Sequence, residues 1–179
     1  SLLPERVWNE GGETLLKPEN MTALLIAGGA SVVMRQHADQ RIAEEVYEKD
    51  ENRIFPDFAD RTLDLVGGPG FHFAATGLWY AFAAGAQDDR NRERAWTMIT
   101  ALSITGATTV ALKAIVNDRT PNDKPWAWPS GHTSSSFTVA SVLDEFYGPW
   151  VGIPAYIGAS AVAYRMVETG DHWASDIVF

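Results

Sequence analysis

Trp126-Ala127-Trp128-Pro129-Ser130-Gly131-His132-Thr133 closes a proline-rich loop and opens an apolar helical run. Ser130 is a preferred N-cap residue, and Ser130 to Phe146 carries a helical pattern. The first N–H groups of such a helix lack intrahelical partners and lie at the positive end of its dipole, which suits an anion. Gly131 lets an oxyanion approach the backbone, and His132 stands beside it as a proton donor. A capped helix with an incidental histidine would have the same letters, so the stretch gains meaning only from its neighbours.

Working outward, Asn117 to Pro129 contains three prolines and reads as loop, while Ala95 to Val116 before it reads as one long apolar helix. Trp150 to Val167 follows as another helix after Gly148-Pro149. Further upstream, helices are expected from Asn20 to Met34, Ala38 to Lys49, Phe58 to Val66 and Phe71 to Ala86, with Gly67-Gly68-Pro69-Gly70 as a turn. No segment alternates with period two. The expected fold is therefore all-α, a single-domain helical bundle over residues 19–179 preceded by an irregular arm over 1–18. Ser175 to Phe179 runs apolar without a helix-stop signal, so a last helix is expected to be cut short there.

Two further segments place chemistry in this frame. Arg165-Met-Val-Glu-Thr-Gly-Asp-His172-Trp-Ala-Ser-Asp176 sets His172 and Asp176 four apart, on one face of any helix formed there. A carboxylate on one imidazole nitrogen fixes the tautomer and makes the other nitrogen the nucleophile. Trp173, Ile177, Val178 and Phe179 make the surroundings apolar, which favours a buried pair with a purpose over a solvated one. Lys113 lies near the end of the long apolar helix, where a charge must snorkel or pair, and Arg119 follows on the loop. Glu168 and Asp171 read as solvated helix-end charges, with Asp171 directed away from any anion site. His37 and His72 read as structural, and Trp126 and Trp128 receive no role.

Lys113, Arg119, Pro129-Ser130-Gly131-His132, Arg165 and His172-x-x-x-Asp176 occur in that chain order. The set resembles the three-part signature of the type 2 phosphatidic-acid-phosphatase superfamily, which includes bacterial acid phosphatases, lipid phosphatases, glucose-6-phosphatase and vanadium haloperoxidases. Two spacings depart from its pattern. Thr120 stands where the first block has its arginine, with Arg119 one place early, and six residues rather than five separate Arg165 from His172. The resemblance implies a helical bundle with its active site between helices, hydrolysing phosphomonoesters or lipid (pyro)phosphates through a phosphohistidine. In that scheme His172 is nucleophile, Asp176 its orienting acid and His132 the general acid and base. Lys113, Arg119 and Arg165, with backbone N–H groups at Ser130 and Gly131, hold the phosphoryl oxygens. No metal or cofactor is implied, and vanadate is expected to inhibit.

The same resemblance leaves a vanadium-dependent haloperoxidase as an alternative, and a non-catalytic helical membrane or scaffold protein as another. A net charge of −9 disfavours nucleic acid as a partner, while the resemblance implies a phosphorylated small molecule or lipid phosphate. The absence of cysteine excludes thiolate catalysis and cysteine-ligated metals. Leu65 to Gln87, Ala95 to Leu112 and Phe146 to Tyr164 lack Asp, Glu, Lys and Arg over lengths near a bilayer's, yet carry many Gly, Ser and Thr. They fit a soluble or peripheral bundle of the periplasm or cell envelope, with an integral membrane protein as the alternative.

Overall fold

The computed structural model describes residues 3–179, which form helices with no β-strand among them. In chain order these are α1 (Leu3–Leu15), α2 (Pro18–His37), α3 (Asp39–Val46), α4 (Asp57–Gly67), α5 (Pro69–Gly85), α6 (Asp89–Val116), α7 (Gly131–Tyr147), α8 (Pro149–Glu168) and α9 (Ala174–Val178). The all-α expectation holds. The arm does not: Leu3–Leu15 is helical and packs against α6, its Gly11 facing Ile104. Its apolar residues, Leu3, Val7 and Leu15, recur at helical spacing, a signal that Gly11-Gly12 and the polar residues between them obscured.

Local chemistry sets the boundaries. Asp88 caps α6 by accepting from Asn91 N–H at 3.0 Å, and Asn117 ends that helix in the left-handed region. Pro18, Pro69 and Pro149 each occupy the first turn of a helix, where a missing N–H costs nothing. Gly148, with φ +76°, reverses the chain so that α7 and α8 lie together. The centre of the bundle is built from α5, α6, α7 and α8, with α4 wedged against α7 and α8. At Gly67 an added Cβ would fall 2.5 Å from Val162, so this glycine sets how closely α4 approaches α8.

The interior is unusual in what it contains. Leu102, Met98, Met166 and Val162 are buried, but much of the rest is Ala95, Ala140, Ala159, Ala163, Thr76, Thr100, Ser135 and Ser136. Many large apolar side chains instead face outward, among them Leu25, Ile26, Phe82, Ile115, Trp150 and Ile157. Among the described residues α6 is long and apolar enough to cross a membrane.

Gly170 closes α8 with φ +67°, and a Cβ there would overlap the Tyr47 ring at 2.6 Å. Gly170→Ala should therefore lose more than the about 1–2 kcal/mol that the left-handed backbone alone costs. Chemical denaturation of the two proteins measures it.

Candidate active site

The segment after α8 turns back on itself through Gly170, and His172 N–H donates to the Met166 carbonyl at 2.9 Å. This turn lies between Arg165 and His172. It leaves the His172 ring buried, with Nδ1 3.2 Å from Asp176 Oδ2. Asp176 is 1% exposed, and the same Oδ2 accepts Trp173 N–H at 2.9 Å. With Nδ1 engaged, Nε2 is the imidazole nitrogen left for chemistry. The Asp176 backbone carbonyl accepts Ser130 N–H at 3.0 Å, which joins α9 to the start of α7.

That bond corrects one expectation: Ser130 N–H is occupied and is no anion donor. Ser130 Oγ caps α7 as expected, accepting from Thr133 N–H at 3.3 Å. Gly131 N–H and His132 N–H remain as the first-turn donors. A Cβ at Gly131 would lie at ordinary contact distance, 3.9 Å from Thr109, so close approach is not what requires glycine there.

His132 and His172 line one pocket of about 360 Å³, together with Lys113, Lys124, Asp64 and Asp171. Lys113 Nζ donates to the Trp126 carbonyl and, at 3.1 Å, to the Ala127 carbonyl. An ammonium has three donors, so one N–H is left to face the pocket. Trp126 borders the same pocket, whereas Trp128 turns away, donating Nε1–H to Ser31 Oγ at 2.9 Å and packing on Phe179.

Arg119 is not brought to the pocket. Its guanidinium is 66% exposed and donates to Asp123 Oδ1 at 2.9 Å, while its backbone carbonyl accepts Trp173 Nε1–H. Lys124 stands in the pocket instead. It was missed because it lies between the signature blocks and has no spacing of its own. Arg165 is 7% exposed and sits behind the pocket, enclosed by Asp60 (2.7 Å), Asp64 (2.9 Å) and Asp171 (2.7 Å). Asp60 and Asp64 are an i,i+4 pair on α4, a carboxylate spacing the sequence displays but that no motif claims.

Two acids differ from expectation. Asp171 faces the pocket: Oδ1 accepts from Lys124 Nζ at 2.6 Å and Asn122 Nδ2 at 2.9 Å, and Oδ2 from Arg165 and from Thr169 Oγ1 at 2.9 Å. Burial opposes its ionisation, but the bonds from Lys124, Asn122 and Thr169 prevail and hold its pKa down to about 2. Glu168 is 4% exposed rather than solvated, its carboxylate accepting from the backbone N–H groups of Ile54 and Phe55. It fixes the segment entering α4.

His132 Nε2 lies 3.7 Å from Asp64 Oδ1. Burial pushes the His132 pKa below the usual imidazole value, Asp64 pulls it up, and His172 and Arg165 push it down again. Behind the site, Asp39 of α3 is 4% exposed and accepts Ser175 N–H at 2.9 Å and Ser175 Oγ–H at 2.5 Å. Ser31 Oγ of α2 donates to the Ser175 carbonyl at 2.8 Å. Among the described residues no three His, Asp or Glu side chains are grouped to hold a metal ion.

The pocket thus brings together a buried His–Asp pair and a second histidine in a cleft bordered by lysines. Comparison with known proteins gives a partial match. A stretch of 55 residues is 34% identical to a lipid A 1-phosphatase of Porphyromonas gingivalis. The stretch covers 29% of this chain and 12% of that protein, so the chain matches only a small part of that relative. No protein-family model matches the chain, and no solved structure matches it.

Asp171 yields a stability prediction whose sign follows from its pKa. The folded value near 2 lies below the unfolded value of 3.8. Its stabilisation is therefore complete above about pH 5 and lost as pH falls toward 2. Asp171→Asn should cost on the order of 2 kcal/mol at neutral pH. Denaturant melts should show the gap from wild type closing as pH is lowered.

Proposed function

We propose that the protein is a membrane-associated phosphatase that hydrolyses lipid phosphates through a phosphohistidine. The observation that carries this reading is the shared pocket, in which the His172–Asp176 pair, His132 and two lysines border one cleft. Nε2 of His172 attacks phosphorus in line, forming a P–N bond as the P–O ester bond breaks. Asp176 orients the ring and stabilises the imidazolium. His132 donates its proton to the departing alkoxide, then takes one from the water that cleaves the P–N bond.

Lys113 and Lys124 lie where phosphoryl oxygens would be held, with the Gly131 and His132 N–H groups at the helix start. Phosphate must compete with Asp171 for Lys124. When it does, Lys124 exchanges a carboxylate oxygen for a phosphoryl oxygen, so its ammonium is never left unpaired. Arg165 acts at one remove, holding Asp64 and Asp171 against the pocket wall.

The distribution of side chains supports the membrane. Leu25, Ile26, Phe82, Ile115, Trp150 and Ile157 face outward, large apolar side chains that lipid would cover. The Ala-, Ser- and Thr-rich interior is the packing expected where lipid surrounds the helices.

Purified protein in detergent should release phosphate from long-chain lipid phosphates, and His172→Ala should reduce the rate by at least about 10³-fold, the scale for loss of a nucleophile. Orthovanadate should compete with substrate and bind more tightly than phosphate, since it mimics the five-coordinate transition state. Turnover that survives in His172→Ala would overturn the mechanism.

The pH profile supplies a separate test. His132 must be protonated to act as acid, and its pKa lies below the usual 6.5. The rate should fall as pH rises through that lowered value, and Asp64→Asn, which removes the raising influence, should move the limb to still lower pH.

A further inference from the structure

A second cavity, of about 430 Å³, lies between α5, α6 and α7. Phe73 of α5, Gly106, Val110 and Lys113 of α6, and Gly131 and Ser135 of α7 border it. Lys113 is shared with the catalytic pocket, and Gly131 is the neighbour of His132. The two hollows therefore meet on either side of one lysine. Its volume falls within the roughly 300–1,000 Å³ of small-ligand sites.

The walls are hydrocarbon even where the sequence is not. Ser103 Oγ is bonded to the Ile99 carbonyl at 2.7 Å, Thr105 Oγ1 to Thr138 Oγ1 at 2.8 Å, and Ser135 Oγ to the His132 carbonyl at 3.2 Å. Those three hydroxyls are turned into the protein and present their carbon to the cavity. The Lys113 stem runs along the wall while its ammonium reaches the Trp126 and Ala127 carbonyls on the far side. At Gly106 an added Cβ would meet nothing within 4 Å, so the middle of α6 forms an open floor. Phe73 and Val110, both exposed, stand at the outer edge.

We propose that this cavity is the subsite for the apolar chain of the substrate: an alkyl or isoprenoid chain joined through the phosphate ester held at Lys113. The proposal rests on the lipid-phosphatase reading and names the part of the substrate that reading leaves open. Three features select this occupant. The cavity adjoins the catalytic pocket at Lys113, its walls lack unpaired polar groups at those hydroxyls, and exposed Phe73 and Val110 border it. A soluble phosphomonoester would leave it unfilled. A bulk lipid without a phosphate would lack the anchor at its inner end.

The test fills the floor. Gly106→Ala and Gly106→Leu replace a mid-helix glycine with better helix formers, so α6 should be strengthened rather than lost. In detergent at fixed concentration, kcat/KM is measured for tetradecyl phosphate and butyl phosphate with wild type and both variants. The long-chain to short-chain ratio is expected to fall by about tenfold or more in Gly106→Leu, as for eviction of roughly two methylenes, and less in Gly106→Ala. An unchanged ratio, or an equal fall for both substrates, overturns the subsite while leaving the phosphatase in place.

A binding arm keeps the two readings apart. Tetradecylphosphonate, which is not hydrolysed, should bind wild type more tightly than butylphosphonate or tetradecanol, and Gly106→Leu should erase the advantage over butylphosphonate. If wild type hydrolyses neither ester, the phosphatase reading fails and this comparison still decides the subsite. Equal binding of tetradecanol and tetradecylphosphonate would make the cavity a crevice for lipid at large and overturn the proposal.

Discussion

Asp176 makes bonds in two directions, and the site depends on both. Its carboxylate reaches back to the His172 ring and Trp173 N–H, while its backbone carbonyl receives Ser130 N–H. One residue thus orients the candidate nucleophile and ties it to the helix start that carries His132. The burial of this carboxylate beside an imidazole is tolerable only because its charge is shared by a ring nitrogen and a backbone donor. Removing the acid would leave the His172 tautomer unfixed, while the backbone tie to α7 would remain.

Electrostatics around the pocket are more balanced than an anion site requires at first sight. Arg165 is enclosed by three carboxylates, and two of these, Asp64 and Asp171, also border the cleft. The guanidinium is therefore a framework for acids rather than a naked cation. The cationic surface available to a ligand comes from Lys113 and Lys124, both partly held by oxygens of the protein. Both ammonium groups are thus held in place by protein oxygens.

Much of this was readable from the chain. The absence of period-two alternation and the turn chemistry at Gly67-Gly68-Pro69-Gly70 and Gly148-Pro149 led to an all-helical fold. The i,i+4 spacing of His172 and Asp176 foretold their contact, and Ser130 foretold its cap. What escaped was contact between distant segments. Lys124 enters the pocket because of how residues 117–129 fold over Lys113, and Asp60 and Asp64 arrive from α4, far from any signature block. Asp171 was expected to point away on grounds of like-charge repulsion. That argument omitted Lys124, Asn122 and Arg165, whose donors make the pocket side its more stable place. Arg119 failed for the converse reason, since Asp123, four residues on, captures it locally.

The clasp of Asp39 and Ser31 on Ser175 has a bearing on ancestry and dissection. The start of α9 is held from outside it. It holds its shape because two side chains from the first quarter of the chain seize the backbone and hydroxyl of the residue next to Asp176. The signature blocks, which all lie in the last seventy residues, are thus not a self-sufficient cassette. Grafted elsewhere without α2 and α3, they would carry every letter of the motif and lose the geometry those letters stand for.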